Sequence, residues 1–183
     1  MKTLELTRLS RSQLPMIPTE QFQDRTFGIM QVGYTPCNFI ERAWIPLASP
    51  DEDKRLWSKQ RVSCVPTGEY DLIQRKSPSK GLRWHLVNED LGIYLEKSDC
   101  PDMTTSGLSD GSPLFTRFSC MFHPANWWYN LLGCIGSGLS LADFGLAPHD
   151  KGERGWGVTS SRATTAILES YLDESLTARL IIK

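Results

Sequence analysis

The chain has 183 residues, of which 40% are hydrophobic and 22% are charged, a balance typical of a single globular domain. Its 20 basic and 21 acidic residues leave a formal net charge of -1, which argues against a charge-driven grip on nucleic acid or on an anionic membrane. No stretch approaches the roughly 18 to 20 apolar residues of a membrane span. We therefore expect neither a nucleic-acid partner nor a membrane-spanning segment.

The N-terminal residues and the cysteines bear on the cellular compartment. Glu5 and Arg8 interrupt the apolar segment that a signal peptide needs, so we expect synthesis in the cytoplasm without an export signal. The five cysteines form no Cys-x-x-Cys pair, which argues against a zinc site of common spacing. An odd number leaves at least one thiol unpaired, and reduced thiols are the simpler interpretation.

Short runs of β-type residues occupy most of the chain. The first run has the alternating apolar pattern of a half-buried strand, with Leu4, Leu6 and Leu9. Later runs are rich in branched and aromatic residues. Proline and glycine at 66–68 predict a sharp bend between two of the strands. The predicted strands lie at about 4–9, 26–32, 39–45, 62–65, 69–73, 84–87, 93–95, 114–122 and 177–182.

Polar and turn-forming residues separate these runs. They predict a loop at 10–23 and loop insertions at about 46–60, 97–113 and 136–157 within one domain that spans 1–183.

One helical pattern lies near the C-terminus, at about 160–173. Its apolar and small residues at helical spacing are Ala163, Ala166, Ile167, Ser170 and Tyr171. The hydroxyl of Ser160 or Ser161 is expected to cap the first turn. One helix among many short β-type runs predicts a mainly-β fold with a single C-terminal helix.

The residues that carry chemistry are His123-Pro124-Ala125-Asn126 and, after seven intervening residues, Cys134 between Gly133 and Ile135. A cysteine nucleophile needs a thiolate, which a nearby imidazole can create. A glycine beside the nucleophile lets main-chain N–H groups approach a developing oxyanion. An inward-pointing Asn126 would orient the imidazole or hold substrate. From these residues alone, ordinary packing roles for His123 and Cys134 are the commoner alternative.

Three motifs in this order resemble those of L,D-transpeptidase catalytic domains, namely Pro66-Thr67-Gly68-Glu69-Tyr70, then His123, then Gly133-Cys134-Ile135. The chain is still more similar to a phage- and bacteria-borne domain family of unknown function that resembles these transpeptidases. That family carries Ser-Cys-x-Pro-x-Gly-x-Tyr, His-Pro-Ala-Asn and Gly-Cys-Ile, which here start at Ser63, His123 and Gly133. The resemblance covers about residues 1–173.

The resemblance implies a single L,D-transpeptidase-like domain and a cysteine acyl-transfer enzyme acting on peptidoglycan stem peptides. Cys134 would be the nucleophile and His123 the acid and base. Main-chain groups of Gly133, Ile135 and Gly136 would hold the oxyanion, with Asn126 supporting the substrate. No metal or cofactor would be needed. Because no export signal is expected, a phage particle or an injection machine would carry the protein to the cell wall.

Two departures from the transpeptidase pattern imply a rebuilt pocket. Those enzymes usually have arginine after Gly-Cys-Ile, where this chain has Gly136, and their histidine-to-cysteine spacing is usually longer. The alternative function is therefore a non-enzymatic structural component of a phage tail or baseplate, whose partners would be other virion proteins. In that case the aromatic patch Trp127-Trp128-Tyr129 would serve assembly. A third option is a binding module for cell-wall glycopeptide.

Other residues receive structural interpretations. Cys64 is expected in the core, because free cysteine behaves as a small hydrophobe. His85 is expected on a strand surface or with satisfied hydrogen bonds, with a second active-site histidine as the alternative. His149 lies in a polar loop, and Trp127, Trp128 and Tyr129 are expected to pack and to anchor their loop rather than to form a sugar platform.

Overall fold

The structure is a computed structural model, and it describes residues 1–44, 63–77, 81–101, 116–145, 155–175 and 177–183. These residues contain twelve strands, one α-helix and several single-turn 3-10 helices. The strands are β1 Lys2–Leu9, β2 Arg25–Val32, β3 Thr35–Arg42, β4 Gly68–Ser77, β5 Gly81–Val87, β6 Ile93–Tyr94, β7 Arg117–Phe118, β8 Phe122–His123, β9 Ile135–Gly138, β10 Leu141–Asp143, β11 Trp156–Val158 and β12 Ala178–Ile182. The helix, α1, is Ser161–Asp173. The predicted mainly-β fold with one helix near the C-terminus is confirmed.

Eight strands form one sheet in the order β5-β4-β12-β1-β2-β3-β9-β8. The β1–β12 and β8–β9 pairs are parallel, and the other neighbours are antiparallel. The two ends of the sheet meet, because His85 of β5 bridges to Met121 and the N–H of Leu86 donates to the carbonyl of Cys120 at 2.9 Å. The sheet therefore nearly closes on itself.

The two faces of this sheet bury different clusters. All eight strands send side chains such as Leu6, Phe39 and Ile135 into an inner core, where α1 contributes Leu168 and Leu172. A smaller group, the outer cluster, lies on the opposite face of β2 and β3. Its buried members are Leu14, Ile17, Phe27, Ile40, Ala125, Leu131 and Val158.

The helix lies where the sequence predicts it, but its buried face differs from the predicted spacing. Ala163, Ala166 and Ser170 are exposed. The buried residues are Ser161, Thr164, Thr165, Leu168 and Leu172. The predicted hydroxyl cap is also wrong, because Ser160 at the N-cap is left-handed (φ 54°) and its side chain makes no capping hydrogen bond.

Two local predictions are corrected. The run at 63–65 forms no strand, since its carbonyl groups accept hydrogen bonds from arginine side chains rather than from a neighbouring strand. The stretch 136–157, predicted as a loop, contains most of β9, all of β10 and the start of β11. Its glycines allow close packing there. A Cβ on Gly138 would come within 2.5 Å of the Thr159 carbonyl oxygen.

Other predictions fall wholly or partly outside the described residues. These are the loop at 46–60, residues 102–113 of the second predicted loop and His149. At the start of that second loop, Lys97–Asp99 forms a 3-10 turn. In the described part of the chain, no helix has the length and apolar character needed to cross a membrane.

Candidate active site

The pairing of β8 with β9 sets the positions of the histidine and the cysteine. In this parallel pair Phe122 lies opposite Ile135, and His123 lies opposite Gly136. Paired residues face the same side of a sheet, and residues two apart on one strand share a face. Cys134 precedes Gly136 by two residues and packs against the outer cluster, so it lies diagonal to His123 on the same face. The structure thus brings the two predicted residues to neighbouring positions.

The ring of His123 is buried and has a defined hydrogen bond. Its side chain is 5% exposed, and its Nδ1 lies 3.1 Å from the carbonyl oxygen of Pro124. A carbonyl oxygen can only accept a hydrogen bond, so we assign the proton of the neutral ring to Nδ1. Nε2 then carries the lone pair and is the nitrogen able to accept a proton.

The thiol of Cys134 is half-buried and has a main-chain hydrogen-bond acceptor. Its Sγ donates to the carbonyl oxygen of Ser119 at 3.7 Å. A hydrogen bond from the neutral form of a group disfavours its ionisation. Formation of the thiolate therefore requires the Cys134 side chain to turn away from Ser119.

Ser119 is a site residue that the sequence did not indicate. Its φ is +57°, in the left-handed region that residues other than glycine rarely adopt. This conformation aims its carbonyl at Cys134, while its N–H donates to the carbonyl of Tyr94 at 3.3 Å. Strained backbone of this kind is concentrated at functional sites. Serine is unremarkable in sequence, so no residue pattern signals it.

The main-chain groups near Cys134 limit where an oxyanion can bind. The N–H of Ile135 donates to the carbonyl of Met121 at 3.0 Å, so its expected oxyanion role conflicts with this geometry. Gly136 is paired on both sides, with Ile40 of β3 and His123 of β8, which places its main chain inside the sheet. Gly133 has a φ of +92° and forms the turn into Cys134. Of the three residues predicted to hold an oxyanion, Gly133 is thus the one that lies outside the sheet pairing.

Asn126 is fixed through its main chain. Its carbonyl accepts the N–H of Val158 at 3.0 Å, and a Cβ on Gly157 would come within 2.3 Å of that oxygen. This contact ties the segment after His123 to β11. The role predicted for the Asn126 side chain stays a prediction.

The Pro-Thr-Gly motif is held by buried charges. Arg8 makes two hydrogen bonds of 2.9 Å to the carboxylate of Glu41, and its Nη2 donates to the carbonyl of Val65 at 2.7 Å. The hydroxyl of Tyr70 donates to the carbonyl of Pro66 at 2.6 Å. Side chains with fixed partners shape this bend, which indicates a structural role for the motif.

The structure pairs none of the five cysteines in a disulfide. Cys64 is fully buried, as predicted, and its carbonyl accepts a hydrogen bond from Arg117. Burial raises the pKa of the Cys64 and Cys120 thiols to about 12 and that of Cys37 to about 11. These three thiols are poor nucleophiles at neutral pH, because only the thiolate reacts readily.

The structure contradicts both structural predictions for His85, which were a position on a strand surface and a buried ring with satisfied hydrogen bonds. It is 1% exposed, and neither ring nitrogen has a hydrogen-bond partner in the described part of the protein. Burial, with a smaller contribution from the charge of Arg75, lowers its pKa from 6.5 to about 4. The ring is therefore neutral at physiological pH.

The aromatic patch packs mainly on itself. Trp127 stacks on Tyr129 with ring centroids 6.1 Å apart and contacts Phe144 edge-on at 5.3 Å. Trp128 meets Tyr129 edge-on at 5.9 Å. Tyr129 is 37% exposed, whereas both tryptophans are half-buried. These contacts agree with loop anchoring.

Two kinds of observation complete the description of the site. Across the described ranges, no group of three or more His, Cys, Asp or Glu side chains is arranged to hold a metal ion. The chain matches no protein-family model, and comparison with curated proteins and with solved structures finds no significant match.

Proposed function

We propose that the protein catalyses cysteine-dependent acyl transfer or hydrolysis on peptidoglycan stem peptides, and that a phage particle or injection machine delivers it to the cell wall. The observation that supports the chemistry best is the register of β8 and β9, which puts His123 and Cys134 diagonally on one face. The tautomer assigned to His123 leaves Nε2 as the proton acceptor. The substrate class rests on the resemblance of the three motifs to those of L,D-transpeptidases.

The proposed reaction has two halves. In the first, Nε2 of His123 takes the proton of the Cys134 thiol, and the sulfur attacks the peptide carbonyl. Collapse of the tetrahedral intermediate breaks the carbon–nitrogen bond, leaves a thioester on Cys134 and returns the proton from His123 to the leaving amine. In the second half an incoming amine or water loses a proton to His123 and attacks the thioester; collapse of this second tetrahedral intermediate breaks the carbon–sulfur bond, and the proton passes from His123 to the Cys134 sulfur. An amine gives a transpeptidase and water gives a peptidase.

The peptide between Gly133 and Cys134 would stabilise the oxyanion in both halves. Main-chain N–H groups that are already oriented stabilise developing charge without reorganisation. The left-handed Gly133 sets the orientation of this peptide, and a side chain there would strain the turn.

The test is muropeptide profiling with purified wild-type protein, the Cys134→Ala variant and a matched Cys100→Ala control. Cys100 is another half-buried thiol that donates to a main-chain carbonyl, that of Glu96 at 3.6 Å. We expect changed stem peptides with the wild type and Cys100→Ala and none with Cys134→Ala. If wild-type protein leaves every muropeptide untouched, the enzymatic proposal is wrong.

The second candidate function is a structural component of a phage tail or baseplate. The resting thiol of Cys134 donates to a carbonyl and the His123 ring is buried, which is also the arrangement of a pair that serves packing. Particles that carry Cys134→Ala would then assemble and infect normally, whereas particles that need the enzyme for entry would lose infectivity.

A further inference from the structure

Arg42 is the last residue of β3, the strand that pairs with β9 on the side away from β8 and His123. In the antiparallel pair of β3 and β9, Asn38 lies opposite Gly138, and Ile40 lies opposite Gly136. The ladder ends there; extended by two residues, its register would bring Arg42 opposite Cys134, and the contacts described below put the Arg42 side chain on the outer face. His123 and Arg42 thus flank the cysteine from the two adjoining strands.

The Arg42 side chain contacts the loop that connects His123 to Cys134. Its Nε donates to the carbonyl of Leu131, and its Nη2 makes a longer contact of 3.5 Å to the carbonyl of Tyr129. Its guanidinium carbon lies 5.2 Å from the ring centroid of Trp128. The Arg42 side chain therefore contacts three residues of the 128–131 loop, which ends three positions before Cys134.

The charge of Arg42 is satisfied by this loop rather than by a carboxylate. Burial lowers its pKa, and within the described residues it forms no ion pair. Its cross-strand neighbour Arg25 forms an ion pair with Asp24 at 2.6 Å. The guanidinium carbon of Arg25 also lies 5.7 Å from the centroid of the Trp128 ring. A buried cation needs hydrogen-bond acceptors or an aromatic face, and residues 128–131 supply both.

The packing of Leu131 connects this loop to the site. Leu131 is fully buried, and its Cδ1 occupies the space beside Gly136, 3.2 Å from where a Cβ would lie. Gly136 is opposite His123. Movement of the Leu131 main chain would therefore disturb the surface between His123 and Cys134.

We infer that Arg42 is a positioning residue: it fixes the 128–131 loop on β3 and thereby fixes the main-chain position of Cys134 relative to His123. The catalytic consequence rests on the proposed function, whereas the ordering of the loop does not. The charge of Arg42 also lies on the same face as the thiol, and a nearby cation favours a thiolate.

The test compares wild-type protein with Arg42→Gln, which removes the charge, and Arg42→Lys, which keeps the charge but loses the fork of donors. Arg162→Gln, on the exposed side of α1, is the control for a lost surface charge. Two quantities are measured on folded protein: amide hydrogen exchange of peptides covering 127–135, and the pH dependence of iodoacetamide labelling at Cys134 by mass spectrometry.

In Arg42→Gln we expect amide exchange in 127–135 to be roughly tenfold faster, with β1 and β12 unchanged, and an intermediate rate in Arg42→Lys. The labelling inflection of Cys134 should move to higher pH in Arg42→Gln, less in Arg42→Lys and not in Arg162→Gln. Unchanged exchange in 127–135, or an equal rise throughout the sheet, would overturn the inference. A wild-type Cys134 that labels like an ordinary exposed cysteine would instead count against the proposed function, and the exchange data would still decide the role of Arg42.

Discussion

Replacement of Gly136 by alanine tests whether the space opposite His123 is filled by neighbouring groups. A Cβ at this position would lie 3.0 Å from the carbonyl oxygen of Ala125 and 3.2 Å from both Ile40 Cγ2 and Leu131 Cδ1. The two methyl groups can shift by a few tenths of an ångström, but the carbonyl belongs to the main chain and yields less. The backbone of Gly136 is not left-handed, so the cost arises from contact rather than from φ.

The expected magnitude follows from two opposing effects. Overpacking of a filled core costs about 1 to 3 kcal/mol, whereas replacing glycine in a strand returns about 0.5 to 1 kcal/mol of conformational entropy. Gly136→Ala should therefore lower the free energy of unfolding by about 1 kcal/mol, with extremes of about 0 and 2.5 kcal/mol. A much larger side chain at this position, such as arginine, should prevent stable folding.

Urea denaturation followed by tryptophan fluorescence measures this change, because the midpoint shifts while the slope stays constant if only stability changes. Gly145→Ala is the control, since φ there is +64° and, among the described residues other than its chain neighbours, no atom lies within 4 Å of the added Cβ. Its cost is backbone strain alone. A Gly136→Ala protein more stable than the wild type would refute the description of a filled site.

Two further predictions concern His85 and Ser119. Because the pKa of His85 falls from 6.5 to about 4 on folding, the unfolded chain binds its proton first, and this residue makes stability decline as pH falls from about 6.5 to about 4. His85→Leu should weaken that pH dependence of the urea midpoint, and an identical dependence in both proteins would contradict the assignment. Ser119→Gly should raise stability by about 0.5 to 1 kcal/mol, because glycine adopts positive φ without strain. Thermal unfolding at a lower temperature than wild type would show that the serine side chain contributes more than its backbone conformation costs.

The helix shows which part of a fold a residue pattern can predict. Spacing located α1 correctly, but it assigned the face by apolarity, and the buried face contains Thr164 and Thr165. Their hydroxyls donate to the carbonyls of Ser160 and Ser161 at 3.1 and 2.8 Å, and Thr165 also hydrogen-bonds with Ser137 at 2.9 Å. Polar groups with such partners can be buried at little cost. The partners come partly from another strand, so the sequence near the helix does not indicate them.

The candidate site also contains residues that the sequence predicted and residues that it did not. The pair His123 and Cys134 was predicted from the resemblance of its motifs to those of L,D-transpeptidases, since the two residues alone favoured ordinary packing roles. Ser119 and Arg42 could not be predicted, since one acts through its φ and the other arrives from β3 by sheet pairing. The engaged N–H of Ile135 likewise depends on the β8–β9 register. Long-range pairing of a two-residue strand leaves no periodic signal in the chain.

The resting contact of Cys134 with Ser119 does not by itself decide between an enzyme and an inert pair. At 3.7 Å the S–H donor makes a weak hydrogen bond, and a typical net hydrogen bond in a protein contributes only about 0.5 to 1.5 kcal/mol. Turning the thiol toward His123 would lower the populated reactive fraction by about tenfold at most, if nothing replaced that bond. Acyl-transfer catalysis involves barrier reductions of about 8 kcal/mol or more, so this loss is small beside them. What distinguishes the two functions is whether substrate can reach the face on which Arg42, Cys134 and His123 lie side by side, and turnover of muropeptides that depends on Cys134 measures that access directly.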